Sequence, residues 1–355
     1  MEEVRTAGMS EQIRRSPEEF GGWQKLVTQY QRPSVRTSTW QVINSFGGYF
    51  FGLILMYFSM RVGYWLTLAL AVPTAGFIVR IFIIQHDCGH GSFYASRRAN
   101  DRLGIVCSLV TLTAYKYWRK SHAIHHAHHA ELEERGTGDV WLLTVDEYLA
   151  APRWKRLLYR AFRSPFFLLG IAPAGQFLFT NRIPMGAQEW KNGDKASIWS
   201  TNLALLVLYG GIGLFIGYGA LALIFLPVIL IAGTTGTWLF YVQHQFERTY
   251  WEHSPEWSYT LAAMAGSSYY RLPRILQWFT GNIGFHHIHH LSPRIPNYKL
   301  EKCHNENPIF QRVTELTLRS SLKTLSLSLW DEKQGQLVSF QAALEGQKVR
   351  ASANA

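Results

Sequence analysis

The sequence predicts an all-α integral membrane protein, with four transmembrane helices in two hairpins and a helical cap on one membrane face. Three observations predict it. The 355-residue chain is 48% hydrophobic, 14% aromatic and only 17% charged, a composition that excludes a disordered chain. Two long regions are almost free of charge, and most of the 14 histidines gather in clusters beside them. The three cysteines, Cys88, Cys107 and Cys303, are widely spaced. That excludes a disulfide scaffold and thiolate-held clusters, which need about four Cys.

Residues 1–41 read as an N-terminal segment in the cytoplasm. MEEVRTAGMSEQIRRSPEEF has no apolar core of a secretory signal, so no cleaved leader is expected. Ser16-Pro17-Glu18-Glu19 has the form of a capping box with Pro at the first helical position. Residues 42–84 form the first hairpin, Val42–Met60 and Tyr64–Ile84, in which only Arg61 and Arg80 are charged. Residues 198–241 form the second, Thr201–Tyr218 and Ala220–Tyr241, turning at Gly217–Gly219, with no Asp, Glu, Lys or Arg. Each piece has about 18–22 residues, enough to cross a hydrocarbon core of roughly 30 Å.

Residues 85–197 form a cytoplasmic region between the hairpins. Its apolar stretches Leu103–Ala114 and Phe166–Phe179 are too short to span and are expected in or against the membrane surface. Lys191–Lys195 (KNGDK) reads as a turn-rich link. Residues 242–316 form the cap, and residues 317–355 an amphipathic helix and C-terminal tail. In that last part, Leu318, Leu322, Leu325 and Leu329 fall at helical spacing within Thr314–Trp330. Arg5, Arg14, Arg15, Lys25, Arg32 and Arg36 precede the first span, whereas the proposed outer turns hold only Arg61. The positive-inside rule therefore puts both termini and the central region in the cytoplasm of a multi-pass protein of the cell membrane.

The histidines carry the chemistry. His86 and His90 are four residues apart. His122, His125 and His126 form an i, i+3, i+4 triple, and His286, His289 and His290 repeat it. Such residues share one helical face. His244, just past the fourth span, makes a ninth imidazole. A tetrahedral ion takes about four ligands, so eight or nine suffice for two ions of higher coordination. The assigned spans return every cluster to the same membrane face. His128 and His129 are expected to be solvated or to lie outside the ligand set, His287 to point off the face of its triple, and His253 and His304 to be structural.

Other metal chemistries lack their residues. The spans hold no Asp or Glu for an ion pathway, and no His-Glu-x-x-His occurs. Carboxylate-bridged di-iron bundles need two Glu-x-x-His pairs; this chain has one, Glu301–His304. A His-rich two-metal site at a membrane face points to oxygen chemistry on a lipidic substrate. A membrane hydroxylase would share this pattern, and a His-rich metal transporter is the non-enzyme alternative.

HDCGH, HAIHH and HHIHH resemble the three histidine boxes of membrane fatty acyl desaturases. The strings RGTGDVWLLTVDEY, FYVQHQFERTYW and LPRILQWFTGNIGFHHIHHLSPRIPNYKL are similar to bacterial acyl-lipid desaturases of the Bacillus type, a resemblance running from about Trp40 to Trp330. It implies that the cap holds a di-iron centre on His86, His90, His122, His125, His126, His286, His289 and His290, with His244 as an additional ligand. It implies O₂ as co-substrate and a cis double bond introduced into acyl chains of membrane phospholipids or glycolipids. Similar animal enzymes have Asn four residues before the ninth His, where this chain has Phe240.

Around that implied centre, Asp87, Asp139 and Glu247 are candidates to accept the second ring N–H of ligand histidines. Trp141, Trp278, Phe279 and Phe285 are candidates to line the acyl slot. No redox domain is visible in the sequence, so electrons are expected from a separate acidic carrier such as ferredoxin or flavodoxin. The net charge of +11, with Lys116, Arg119, Lys120, Arg271 and Arg274 near the boxes, would steer such a carrier. No nucleic-acid partner is expected.

Overall fold

The computed structural model describes residues 16–136, 138–184 and 192–353. Arg5, Arg14, Arg15 and Lys191 lie outside the described residues. The capping box is formed at Ser16 and starts a 3-10 turn, Pro17–Phe20. Helix α1 (Trp23–Thr28) follows. Phe20, Val27 and Tyr30 pack with Leu261, Ile288, Leu300 and Phe310. Residues 16–30 thus belong to the cap rather than to a separate segment.

Helices α2 (Val35–Ser59) and α3 (Tyr64–His90) form the first hairpin. Ser34 caps α2 by accepting from the Thr37 N–H. After α4 to α8, described below, α9 (Asn192–Ile216) and α10 (Tyr218–His244) form the second hairpin. These four helices, α2, α3, α9 and α10, are long and apolar enough to cross a membrane, and the protein is a multi-pass membrane protein. Each differs from its sequence-predicted span by continuing into polar residues. The apolar run marks what lipid can cover, but the helical ladder needs only continued backbone pairing. Asn192–Lys195, expected as a turn, is therefore the first turn of α9. His86, His90 and His244 ride on the rigid ends of membrane helices.

Between the hairpins lie α4 (Arg97–Thr111), α5 (Tyr115–His128), α6 (Val145–Ala150), α7 (Arg153–Phe162) and α8 (Ala172–Leu178). A π turn, Phe167–Ile171, leads into α8. That region packs on α10, where the Thr234 hydroxyl donates to Leu169 O. Helix α5 is pinned to α3 by Tyr115, whose hydroxyl donates to Cys88 O at 2.8 Å. Arg80, the one charge expected inside a span, lies over the Trp278 ring at 3.9 Å and donates to Trp278 O. A cation on an aromatic face and a carbonyl offsets the cost of burying the guanidinium. The contact fastens the cap to α3.

The cap continues through α11 (Tyr259–Met264), α12 (Arg274–Phe279), α13 (His286–Leu291) and α14 (Asn297–Glu306). Among the described residues five short strands, unexpected from the sequence, complete it. Parallel strands β2 (Tyr269–Arg271) and β3 (Glu315–Thr317) pair. Strand β4 (Leu329–Asp331) lies between β1 (Leu143–Thr144) and β5 (Gln336–Val338).

The amphipathic helix expected over Thr314–Trp330 is absent. That stretch is β3, the short helix α15 (Leu318–Ser321), a 3-10 turn Leu322–Ser326, and β4. Leu318 and Leu322 are exposed, whereas Leu329 is fully buried in the sheet. The leucines alternate with serines from Leu325 to Leu329, a period-2 pattern that suits a strand, and Ser and Thr compete with helix backbone for hydrogen bonds. A final helix, α16 (Phe340–Ala353), closes the chain. The buried Arg163 binds this tail to the rest, donating to Trp141 O, Gln245 Oε1 and Leu327 O.

On the cap surface His253 sits between Glu133 and Glu332, with Nδ1 and Nε2 each facing one carboxylate. Hydrogen bonds to both push its pKa up to about 9 from an ordinary 6.5. The folded chain thus favours the charged ring. The stabilisation is complete below about pH 6.5 and is lost as pH rises through about 9. The His253→Ala variant should melt slightly lower than wild type at pH 6, with the gap closing by pH 10 in thermal unfolding curves. A gap unchanged by pH would show that the two ion pairs add nothing.

Candidate metal centre

The four elements that deliver the histidines meet at one place. Helices α3 and α10 bring His86, His90 and His244 to their ends, and α5 lays His122, His125 and His126 across them. Helix α13 is short but held at both ends. The Tyr270 N–H donates to Gly284 O at 2.8 Å just before it, and the Tyr259 hydroxyl donates to His290 O at 2.6 Å. Its triple, His286, His289 and His290, closes the centre.

Ligand atoms of His86, His90, His122, His126 and His289 all lie within 4.8 Å of one another, and those of His125, His244 and His290 form a second group. His286 joins the second group, its Nε2 lying 3.0 Å from His244 Nε2 and 3.1 Å from His290 Nε2. In the first group, His126 Nε2 is 3.1 Å from His122 Nε2 and 3.0 Å from His289 Nε2. Two imidazole nitrogens about 2.1 Å from one ion, at right angles, stand about 3 Å apart. The spacing fits shared cations. So does the absence of hydrogen-bond partners for the buried His90 Nε2 and His125 Nε2, since such atoms are ordinarily satisfied.

Five of the rings are driven toward the neutral form. Burial, reinforced by neighbouring imidazoles, pushes His122, His126, His286, His289 and His290 well below the ordinary range. Neutral nitrogen is the form that binds a metal.

Two of the three expected carboxylates touch the centre. Asp139 Oδ1 lies 3.0 Å from His125 Nδ1. Asp87 Oδ1 lies 3.3 Å from His86 Nδ1, while its Oδ2 accepts from the Asn297 N–H at 2.7 Å and side-chain amide at 2.8 Å. A carboxylate accepting Nδ1–H leaves Nε2 free to face an ion. Gly138 makes the Asp139 contact possible. Its φ is +76°, and a Cβ there would sit 2.9 Å from His125 Cβ. Glu247 departs from expectation. It is exposed beyond α10, and its backbone carbonyl accepts from the Leu337 N–H. The helix ends at His244, so the face shared by i and i+3 is not continued.

Of the flanking histidines, His128 is part-exposed and paired with Glu131, but His129 belongs to the buried cluster. Its Nε2 is 3.0 Å from Gly266 O and 3.1 Å from His244 Nδ1. Burial pushes its pKa down to about 4. The sequence signal was there, because His129 is four residues after His125. His287 is fully buried away from the centre, its Nε2 3.4 Å from His304 Nδ1.

A cavity of about 530 Å³ runs from the cluster between α3, α5, α8 and α10. It is walled by Ile78, Phe82, Trp118, Phe177, Gly236 and Phe240, and His86, His122, His125 and His286 also line it. This size and apolar lining are those of a small-molecule site. The aromatic residues expected from sequence proximity lie elsewhere. Trp141 borders a neighbouring cleft, Trp278 and Phe279 pack on Phe77, and Phe285 stacks on Tyr269 at 4.6 Å. Adjacency to a box does not fix which side of the helix a ring takes. Phe240 stands 5.0 Å from the His244 ring and 5.3 Å from His125.

Comparison with known proteins gives a consistent result. The model of the family described as "Fatty acid desaturase" matches residues 63–314. A "Fatty acid desaturase" of Bacillus subtilis (strain 168) is 46% identical over 318 residues, covering 90% of each chain. An "sn-1 oleoyl-lipid 12-desaturase" of Synechocystis sp. is 29% identical over 224 residues, 63% of each chain. An "sn-1 acyl-lipid omega-3 desaturase (ferredoxin)" of the same organism is 24% identical over 230 residues, 63% of this chain and 62% of the other.

Replacing Asp139 by Ala should weaken metal binding about 10–100-fold, the usual cost of losing a ligand's outer partner, as measured by chelator competition. His128→Ala, which alters a surface pair, should leave the affinity unchanged. Equal losses would remove any special role for the carboxylate.

Proposed function

From the fact that this chain belongs to the fatty acid desaturase family and is a membrane desaturase, we propose that it introduces a cis double bond into acyl chains of membrane lipids at the histidine cluster. The observation that carries this reading is an apolar cavity ending on facing imidazole nitrogens. His86, His90, His122, His125, His126, His244, His286, His289 and His290 would hold two iron ions, and iron would supply the reduction of O₂. The residues fit that group: imidazole nitrogens face one another across the centre, and Asp87 and Asp139 approach the His86 and His125 rings at Nδ1.

The rest falls to the protein. Asp139 and Asp87 keep the His125 and His86 rings turned so that Nε2 faces inward. Ile78, Phe82, Trp118 and Phe240 exclude water and hold two adjacent methylenes beside the ligand rings. Overall, one CH₂–CH₂ unit, O₂, two electrons and two protons become CH=CH and two waters. The chain supplies two of the four electrons that O₂ takes up. A separate acidic carrier, ferredoxin or flavodoxin, supplies the other two. One Synechocystis relative carries ferredoxin in its name, which supports the first. The basic residues before the first span and the lone Arg61 at the opposite turn support a cytoplasmic centre in the cell membrane.

Expression in a host of known fatty acids, with mass spectrometry of extracted lipids, tests the reading. The expected product is a new double bond; an alcohol would instead assign a hydroxylase. His126→Ala should abolish the product. Gly236 lies two turns before His244, about 12 Å along the helix, and nothing stands within 4 Å of a Cβ built there. Gly236→Leu should therefore narrow the cavity and move the double bond or shorten the accepted chain, with metal content retained. An unchanged product spectrum would place the acyl chain elsewhere.

A further inference from the structure

The two ligand groups differ in access. His125, His244 and His290 are all buried, whereas His90 and His122 in the other group are only half-buried. His122 lines the acyl cavity, but His90 does not. His90 therefore lies at the edge of the site that opens away from the cavity, at the point where α3 ends on Gly91.

The surface around that edge is built from α4 and α5. Gly89, beside His90, lies under Trp118 and Arg119; a Cβ there would stand 3.0 Å from the Trp118 ring and 3.6 Å from Arg119 Cγ. The Trp118 ring also stacks on His122 at 4.6 Å. Together α4 and α5 carry Arg97, Arg98, Arg102, Lys116, Arg119 and Lys120 against one carboxylate, Asp101. Asp101 takes Arg119 at 2.6 Å, and Lys120 pairs with Asp194 at 2.9 Å. Arg97, Arg98 and Lys116 are exposed. Arg97 and Arg98 stand four and three residues before Asp101, and Lys116 three before Arg119, so all face the same rim. Arg271, the other basic site near a box, is paired with Glu315 at 3.1 Å.

We propose that the acidic one-electron carrier docks on the α4–α5 face, over the half-buried His90, and that electrons enter the centre through the group of histidines containing His90. This rests on the desaturase reading and adds the place and the route. Each docking delivers one electron and releases an oxidised carrier, so two dockings supply the two electrons of each turnover. The excess positive charge steers the carrier, and salt screens it over about 8–10 Å.

The test uses the iron-loaded protein in lipid nanodiscs, with a plant-type ferredoxin as probe. Equilibrium binding should weaken at least 10-fold in the Arg97→Glu/Arg98→Glu variant and in Lys116→Glu, with a shallower salt dependence in both. Arg274→Glu, on α12, should change binding less than 2-fold. Single turnover after chemical reduction with dithionite should give normal product in every variant, which separates docking from damage to the centre. Weaker ferredoxin binding on changing Arg274 but not Arg97, Arg98 or Lys116 would overturn the proposal, as would no effect of any of them. Failure of the desaturase reading would show differently, as no unsaturated product even with dithionite.

Discussion

Nine imidazoles gathered at one place, with nitrogens of His122, His126 and His289 and of His244, His286 and His290 about 3 Å apart, impose the constraint on which the rest of the structure depends. Protonated rings at that spacing would repel one another strongly in a low dielectric. Neutral rings leave inward-facing nitrogens without partners, which is costly unless cations lie between them. The cluster has the form of a ligand set. Asp87, Asp139 and Tyr259 hold these rings oriented and close.

That requirement explains where the polar side chains are spent. Asp87 is fixed by two donors from Asn297, which ties the end of α3 to the start of α14 and sets the His86 ring. Asp139 rests on a loop whose glycine leaves room for His125. Arg80 and Arg163 lie further out, and each gives its charge to carbonyls that join the cap to the membrane helices. Rings held this firmly cost little reorganisation when charge changes at the centre.

The same geometry separates the two traffics such a reaction needs. In the proposed reaction the acyl chain would reach the centre between α3 and α10, along apolar walls. The only half-buried ligand outside that cavity, His90, opens on a basic surface at the far end of α3. On that reading lipid and electrons would not compete for one entrance, because α5 stands between them with His122 and Trp118 on the cavity side and the exposed Lys116 on the other.

Hairpins, histidine boxes and their common membrane face were legible in the sequence, because charge-free length and i, i+3, i+4 spacing are local properties. Composition and helical period alone place His86 with His90 and His286 with His290. The particular partners were not legible. Which imidazoles fall in one group, that His129 packs behind His244 while Glu247 stays outside, and that the cavity takes Phe240 but not Trp278 depend on how α3, α5, α10 and α13 cross. The Leu318–Leu329 spacing misled for the same reason: a leucine every three or four residues fits a helix, yet the edge of β1 was there to pair with Leu329 and Trp330. Local spacing fixes which residues share a face; only packing between distant elements fixes what that face meets.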